Sequence, residues 1–398
     1  MTFLSLFFTS CIKWAAQAKD KLPKETALDK TYTYEGKVII IGAGASGLAA
    51  AKVLEKNNID YLILEATNRY GGKSKKDTTL ADFPIDIGAE WIHSDPIVLN
   101  VLKGKKGGQI DEDIIPYKLE NTADWDGENY KVSPEWENNA IYRILRESKF
   151  KNSTWYDYID KNIAQTVKHK IKYNSPVTEI NYSNYSNECI LVKTENGRTY
   201  EADKVLVSVS IGVLKSNLIK FIPELNLEKK KAIDEVTFHQ GFKVALKFSE
   251  KFYPDLVKCK VENGEKVFYD MAFGKDKKAN ILGVLCTGDA TSNYYMLDSK
   301  QKIVQALIEE LDKIFGGKAS ATFTGNYILE DWGRHHYTQG TWTKAFEEKK
   351  SHLEILNQSI DSKIYFAGEI CDPYKQMGLP GAVLSGYYSI DRLLKDEK

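Results

Sequence analysis

The apolar positions fall into a few patterns sharp enough to name elements. Residues 37–41 (K-V-I-I-I) are a continuous apolar run, the signature of a strand covered on both faces in a parallel sheet. Residues 48–54 read as a helix, and Tyr61–Leu64 as a second buried strand. In 241–248 (G-F-K-V-A-L-K-F), Phe242, Val244, Leu246 and Phe248 alternate with Lys243, Ala245 and Lys247. Period two predicts a strand with one apolar and one polar face. The pattern leaves Lys243 and Lys247 equivalent: each could point at water or into a reaction chamber. In 300–316, Ile303, Leu307, Leu311 and Ile314 recur at three and four, and Gly316 stops the run. That predicts an amphipathic helix with a solvated charged face. Strand-like runs near 267–273 and 281–286 join 241–248 in a predicted mixed sheet lining a pocket, and 135–170 holds helical-looking stretches.

Glycines punctuate the first strand–helix junction. Gly42, Gly44 and Gly47, with Ala43, Ala45 and Ser46 between them, form G-x-G-x-x-G. Such glycines allow a tight turn, close approach of a pyrophosphate, and close helix–strand packing. The helix N-terminus then offers free N–H groups and a positive dipole end to phosphates. The second strand ends at Glu65, at the spacing of an acid that accepts from a ribose 2′-OH. Strand, glycines, helix, strand and acid in this order predict a dinucleotide site rather than a structural turn. Beyond it, E-A-T-N-R-Y-G-G-K-S (65–74) brings Ala66, Arg69, Gly71, Gly72 and Lys73. A guanidinium matches phosphate bidentately, and paired glycines let backbone N–H groups approach closely.

This segment resembles the E-A-x-x-R-x-G-G-R stretch of FAD-dependent amine oxidases, with Lys73 in place of the second arginine. The resemblance to the flavin-containing amine oxidase superfamily (monoamine and polyamine oxidases) continues over about residues 36–394. D-I-G-A-E-W-I-H-S (86–94) resembles the segment beside the flavin ring, which implies cofactor contacts from Gly88, Ala89, Glu90 and Trp91 and a substrate contact from His93. Read alone, His93 is as well explained as a hydrogen-bonded structural histidine. S-P-V-T-E-I (175–180) resembles the strand whose backbone clasps the adenine, here at Val177. D-K-V-L-V-S-V-S-I-G-V-L-K (203–215) resembles the hinge strand, with Ser210 where proline is usual, which suggests a looser turn.

In G-F-K-V-A-L-K-F-S-E-K-F-Y-P (241–254), aligning F-Y-P with the family's F-W-P puts Lys243 at the lysine that holds a water against flavin N5. Lys247 is then expected to reach solvent. E-D-W-G-R-H-H-Y-T-Q-G-T-W-T (330–343) resembles the segment over the flavin face, with Trp332 and Trp342 as the matching aromatics. Trp342 is the implied substrate wall. Thr341 stands where monoamine oxidases carry a flavin-linked cysteine, so FAD is expected to be non-covalent. I-Y-F-A-G-E-I (364–370) and G-L-P-G-A-V-L-S-G (378–386) resemble the C-terminal FAD motif, implying contacts from Gly368, Glu369, Gly378, Leu379 and Ala382, with a helix beginning near Gly381. Gly378, preceded by Met377, replaces the second aromatic wall; Tyr374 is the candidate to replace it.

Bulk properties narrow the rest. The 398 residues are 42% hydrophobic, enough for two domains. Lys+Arg and Asp+Glu both number 55, so no net field points to nucleic acid. Five scattered cysteines and six histidines show no metal-ligand spacing. The opening M-T-F-L-S-L-F-F-T-S-C is too short to span a bilayer. It resembles the tail of a bacterial lipoprotein signal, which would make Cys11 a lipid anchor on a periplasmic face. The alternative is a frayed terminus on a cytoplasmic protein.

The expected fold is α/β. A Rossmann-like FAD-binding domain (35–95, 170–222, 345–398) follows a leader (1–34), with an interleaved α+β substrate domain (96–169, 223–344) on a mixed sheet. The implied activity is oxidation of an amine, with hydride passing from the α-carbon to flavin N5, hydrolysis of the imine, and reduction of O2 to H2O2. An L-amino-acid oxidase, with Arg334 holding the carboxylate, is the nearest rival. A desaturase and a non-catalytic flavin-binding or redox-sensing module are others. For a polyamine, Glu90, Asp95, Glu330 and Asp331 are candidate channel acids, although solvated loop acids explain each of them better.

Overall fold

The computed structural model describes residues 22–183, 189–342, 350–374 and 378–396. Cys11, with the expected leader up to residue 21, and Met377 lie outside these. A five-stranded parallel sheet runs Ile171–Lys172, Tyr61–Leu64, Val38–Ile41, Lys204–Val207, Ile364–Phe366. All four residues of Val38–Ile41 are buried, because helices cover one face and a second sheet the other. The helix Ala45–Lys56 leaves the first strand through the glycine turn and packs along the C-terminal helix Gly378–Lys395. Their crossing is close enough to exclude side chains. A Cβ on Gly386 would lie 2.2 Å from the Ser46 carbonyl oxygen, and one on Gly47 would lie 2.1 Å from that of Gly42.

A four-stranded sheet (Thr199–Ala202, Ile190–Thr194, Val177–Asn181, Lys220–Ile222) stacks beneath. Ser210, expected to loosen the turn after Lys204–Val207, does the opposite. Its hydroxyl accepts from the N–H of Val213, capping the helix Ile211–Lys215, and donates to Thr338 O at 2.5 Å. A serine replaces proline's fixed φ with two hydrogen bonds.

The second unit is a seven-stranded sheet in the order Phe323–Glu330, Gly241–Phe248, Ile281–Gly288, Gly264–Asp270, Leu256–Cys259, Thr122–Trp125, Tyr130–Val132. It is mixed: most pairs are antiparallel, but Leu256–Cys259 runs parallel to Thr122–Trp125. The helix Lys300–Phe315, stopped by Gly316 in a left-handed conformation, presses Ile303, Leu307 and Leu311 onto Phe242, Val244 and Leu246. The other face of Gly241–Phe248 is covered too. Ala245 packs with Tyr269, Met271 and Ile87, and Lys243 is 2% exposed. The polar face of this strand is therefore closed to solvent at Lys243. Even Lys247, expected in solvent, is half-buried and donates to Leu80 O at 3.0 Å. A small three-stranded sheet (Trp91–Ile92, Ser148–Phe150, Ile114–Pro116) sets Trp91 opposite Lys149. Among the described residues, no helix is long and apolar enough to cross a membrane.

Candidate active site

The phosphate end of the site is built from backbone. Gly44 caps the helix Ala45–Lys56 without a side-chain hydrogen bond, so first-turn N–H groups stay available. A Cβ on Gly44 would meet nothing within 4 Å, so the turn faces open space. The Gly71-Gly72 turn lies over it, with the Gly71 N–H donating to Ala43 O at 2.8 Å. Arg69 holds that turn closed by donating to Gly72 O (2.5 Å), Tyr70 O and Ser74 O. Glu65 accepts from the Ala43 N–H at 2.8 Å, and from the Thr67 N–H and hydroxyl at 2.8 and 2.7 Å. A carboxylate has about four acceptor sites, so one remains for a ribose hydroxyl. Ala66 continues this turn, and the buried Val177 begins the strand stacked below it.

At the C-terminal motif, Gly368 donates to Ser385 Oγ at 2.9 Å, tying its turn to the final helix. That helix begins at Gly378; Leu379 is buried and Ala382 half-buried. Lys73 bridges this region to the substrate side. Its ammonium pairs with Glu369 at 3.0 Å and also donates to Thr341 O. The lysine that replaces the family's arginine thus acts as a point-charge tie between three segments. Open backbone N–H groups at one end and glycine turns with a lysine-held acid at the other fit an FAD laid between them.

Charged side chains dominate the end that residues 86–94 are expected to set beside the flavin ring. Glu90 is buried, with Oε2 2.5 Å from Lys243 Nζ and Oε1 2.5 Å from Lys149 Nζ. The Tyr269 hydroxyl donates to Oε2 at 2.6 Å. Lys243 also donates to Gly88 O at 3.1 Å. Burial alone would raise the Glu90 carboxyl, but the Lys149 and Lys243 ammonium groups hold it down at about 2. Nearby Asp86 goes the other way: burial, then the Glu90 charge, puts it well above the usual carboxylate range. Glu90, expected as a loop acid, is instead the hub of a buried cluster. The approach of three distant segments removes it from solvent.

His93 lies beyond Trp91, with Nδ1 2.7 Å from Glu147 Oε1. Burial lowers its affinity for protons, yet the Glu147 carboxylate more than offsets that and raises it. Glu265, on the strand Gly264–Asp270 of the seven-stranded sheet, is pushed up to about 7 by burial and then by the Glu147 charge. These groups are partly buried: 32% of the His93 side chain and 23% of Glu147 remain accessible.

Other expected site residues are placed differently. Trp332, expected against substrate, is 4% exposed, and its indole N–H donates to Ile87 O at 2.9 Å with Arg69 above the ring. It buttresses the arginine loop because the Ile87 carbonyl anchors it there. Trp342 is half-buried beside His239 (ring centroids 5.8 Å), and its buried indole N–H meets no acceptor among the described residues. Tyr374 packs against the core under the nucleotide helix instead of supplying a second wall. Asp95 is exposed, Glu330 pairs with Lys75 at 2.5 Å, and Asp331 pairs with Arg334 at 2.6 Å. Arg334, the rival's carboxylate anchor, is held by that pair and stacked 4.5 Å over Tyr295.

Lys149, Tyr269, Glu147 and Glu265 were not legible as site residues. Glu147 and Lys149 flank Ser148 in a short strand whose antiparallel register aligns it with Trp91–His93. Only that cross-strand pairing brings them to the site.

Comparison with known proteins agrees with this arrangement. Residues 128–394 match the model of the flavin-containing amine oxidoreductases, and residues 40–103 match that of the NAD(P)-binding Rossmann-like domain. Polyamine oxidase 1 of Zea mays is 25% identical over 90% of this chain and 90% of its own length. Probable polyamine oxidase 4 of Arabidopsis thaliana is 25% identical over 92% and 89%. Lysine-specific histone demethylase 2 of Homo sapiens is 26% identical over 90% of this chain and 53% of its own. The chain is an FAD-dependent amine oxidoreductase and belongs to the flavin-containing amine oxidoreductase family.

Proposed function

We propose that the protein oxidises amines carrying a second positive charge, as diamines and polyamines do, using O2 as acceptor. The observation that carries this reading is the His93–Glu147–Glu265 group, partly buried acids that feel one another's charge, next to the segment expected at the flavin ring. Two carboxylates that burden each other gain from a cation placed between them. A simple monoamine has no second charge to offer, and an amino acid's carboxylate would be repelled. The rival's arginine is already paired with Asp331. The polyamine oxidases among the relatives fit the same reading.

FAD, when bound, supplies the redox chemistry: it takes two electrons and a proton equivalent from the amine's α-carbon and delivers them to O2, leaving an imine that water hydrolyses. The chain supplies position and charge. Glu147 and Glu265 hold the distal ammonium, and Trp342 gives the reacting end a flat wall. Lys243, an ion-paired donor, orients a water rather than accepting the amine's proton. Thr341 has a hydroxyl committed to His239 O at 2.9 Å and no thiol, so FAD is held without a covalent bond here. The test is anaerobic bleaching of the bound flavin by a panel of polyamines, monoamines and amino acids. Polyamines should bleach it fastest. Bleaching by amino acids alone, or by nothing in the panel, overturns the reading.

A further inference from the structure

The Glu90 cluster holds more positive charge than the N5 lysine requires. Lys149 comes from the three-stranded sheet and is 2% exposed. Its ammonium lies over three rings, Trp91 at 5.9 Å, Tyr117 at 5.2 Å and Tyr269 at 5.6 Å. Among the described residues its only charged partner at contact distance is Glu90, and the contact has ion-pair rather than directed hydrogen-bond geometry. Burying two ammonium groups around one carboxylate is a poor way to stabilise a fold, since apolar residues of the same volume usually do better. The arrangement therefore calls for a chemical reason.

Glu90 can neutralise only one of its two lysines. Other ionisable groups facing the cluster are Asp86, on the strand before Glu90, Lys275, and the hydroxyls of Tyr117 and Tyr269. The tyrosines carry no charge, because burial pushes both far above their ordinary range. Burial and the Glu90 charge raise the affinity of Asp86 for a proton, which weakens its hold as a counter-charge to the surplus.

We propose that Lys149 and Glu90 are positioning residues that set the charge beside the flavin: Glu90 fixes the Lys243 ammonium in place, and Lys149 restores the positive charge that this pairing removes. A positive charge near the ring favours electron uptake, because negative charge builds on the flavin as it is reduced. The inference rests on the reading of residues 86–91 as the segment beside the flavin. It does not depend on which amine is oxidised.

The test uses purified, flavin-loaded protein and sulfite, a probe that adds to flavin N5 without an amine or turnover. Charge counting over Lys243, Glu90 and Lys149 orders four proteins. E90Q should bind sulfite most tightly, the parent and the K149M/E90Q double variant should match, and K149M should bind it most weakly. A unit charge at this range corresponds to a change on the order of tenfold. The two-electron potential should follow the same order, about 30 mV per tenfold. K149R should restore the parental value. If E90Q alone fails to retain flavin, the K149M, double-variant and parent values still decide. Equal sulfite affinity in all of these, or tighter binding by K149M, overturns the proposal. Because sulfite requires no substrate, a failed amine panel and a flat sulfite series are separate outcomes.

Discussion

At the phosphate end of the cofactor site the chain contributes peptide groups and the absence of side chains. At the ring end it contributes ammonium and carboxylate groups carried by strands far apart in sequence. The first is assembled within residues 38–72, where a turn, a helix start and Arg69 close on one another locally. The second needs residues 88–93, 147–149, 243 and 265–269 to meet. At Gly47 and Gly386 the backbone site tolerates almost no added volume, because a Cβ there strikes a carbonyl oxygen. A charged site tolerates volume but not a change in charge count. The two ends should therefore fail in different ways.

The largest effect is expected at the backbone end. Gly47→Val would force a branched side chain onto Gly42 O and Ser208 Oγ, 2.1 and 2.6 Å from the Cβ position. It should abolish flavin retention and destabilise the fold by more than about 3 kcal/mol. Absorbance at the flavin band and a denaturant melt read this directly, and a variant with normal flavin content would break the contrast. At the ring end, Lys243→Met should keep its flavin yet slow reoxidation by O2 roughly 100-fold. Stopped-flow mixing of the reduced protein with O2 measures it, and an unchanged rate would remove Lys243 from the chemistry.

Third in size is Glu265→Gln, which should raise KM for a diamine about tenfold while sparing a monoamine. Its pH dependence has two opposite signs. Glu265 titrates at about 7 in the folded chain against 4.5 unfolded, so the folded state binds its proton more tightly. Its contribution to stability is full below pH 4.5 and is lost as pH rises through 7. Diamine affinity instead rises through 7 as the carboxylate forms. Thermal melts and KM profiles of parent and variant should each lose that one component in Glu265→Gln; superimposable profiles would show that Glu265 does not face the amine. The smallest effect belongs to Lys247→Met, which loses one half-buried hydrogen bond to Leu80 O, about 1 kcal/mol. Its reoxidation rate should equal the parent's, which sharpens the difference between the two lysines of one strand.

That difference shows how far the sequence could be read. The strand Gly241–Phe248 and the helix Lys300–Phe315 have the bounds their periodicities predict. The glycine turn and its helix follow from local backbone demands, which a short motif carries in full. Alternation also separated the two faces of Gly241–Phe248 correctly. It could not say that both faces are covered, because covering is done by residues 85–92 and 267–271, distant in sequence. The burial of Glu90 was not legible for the same reason: nothing around it in sequence reports that Lys149 and Lys243 will arrive. Ser210 shows the reverse error. A missing proline was read as slack, although a hydroxyl that caps a helix and bonds the Thr338 carbonyl holds the turn as well.

The pairing of Ala45–Lys56 with Gly378–Lys395 has a consequence for how the protein is made. The nucleotide helix leaves the ribosome roughly 300 residues ahead of the helix it packs against. At cellular elongation rates those roughly 300 intervening residues take about 15 to 60 seconds. Throughout that interval the small-residue face that Ser46, Ala49 and Gly386 will share lies open, and the fifth strand of the parallel sheet does not yet exist. The glycine turn of the nucleotide helix thus lacks its packing partner until Gly378–Lys395 has been made, and a chain cut short of that helix cannot complete the small-residue contact.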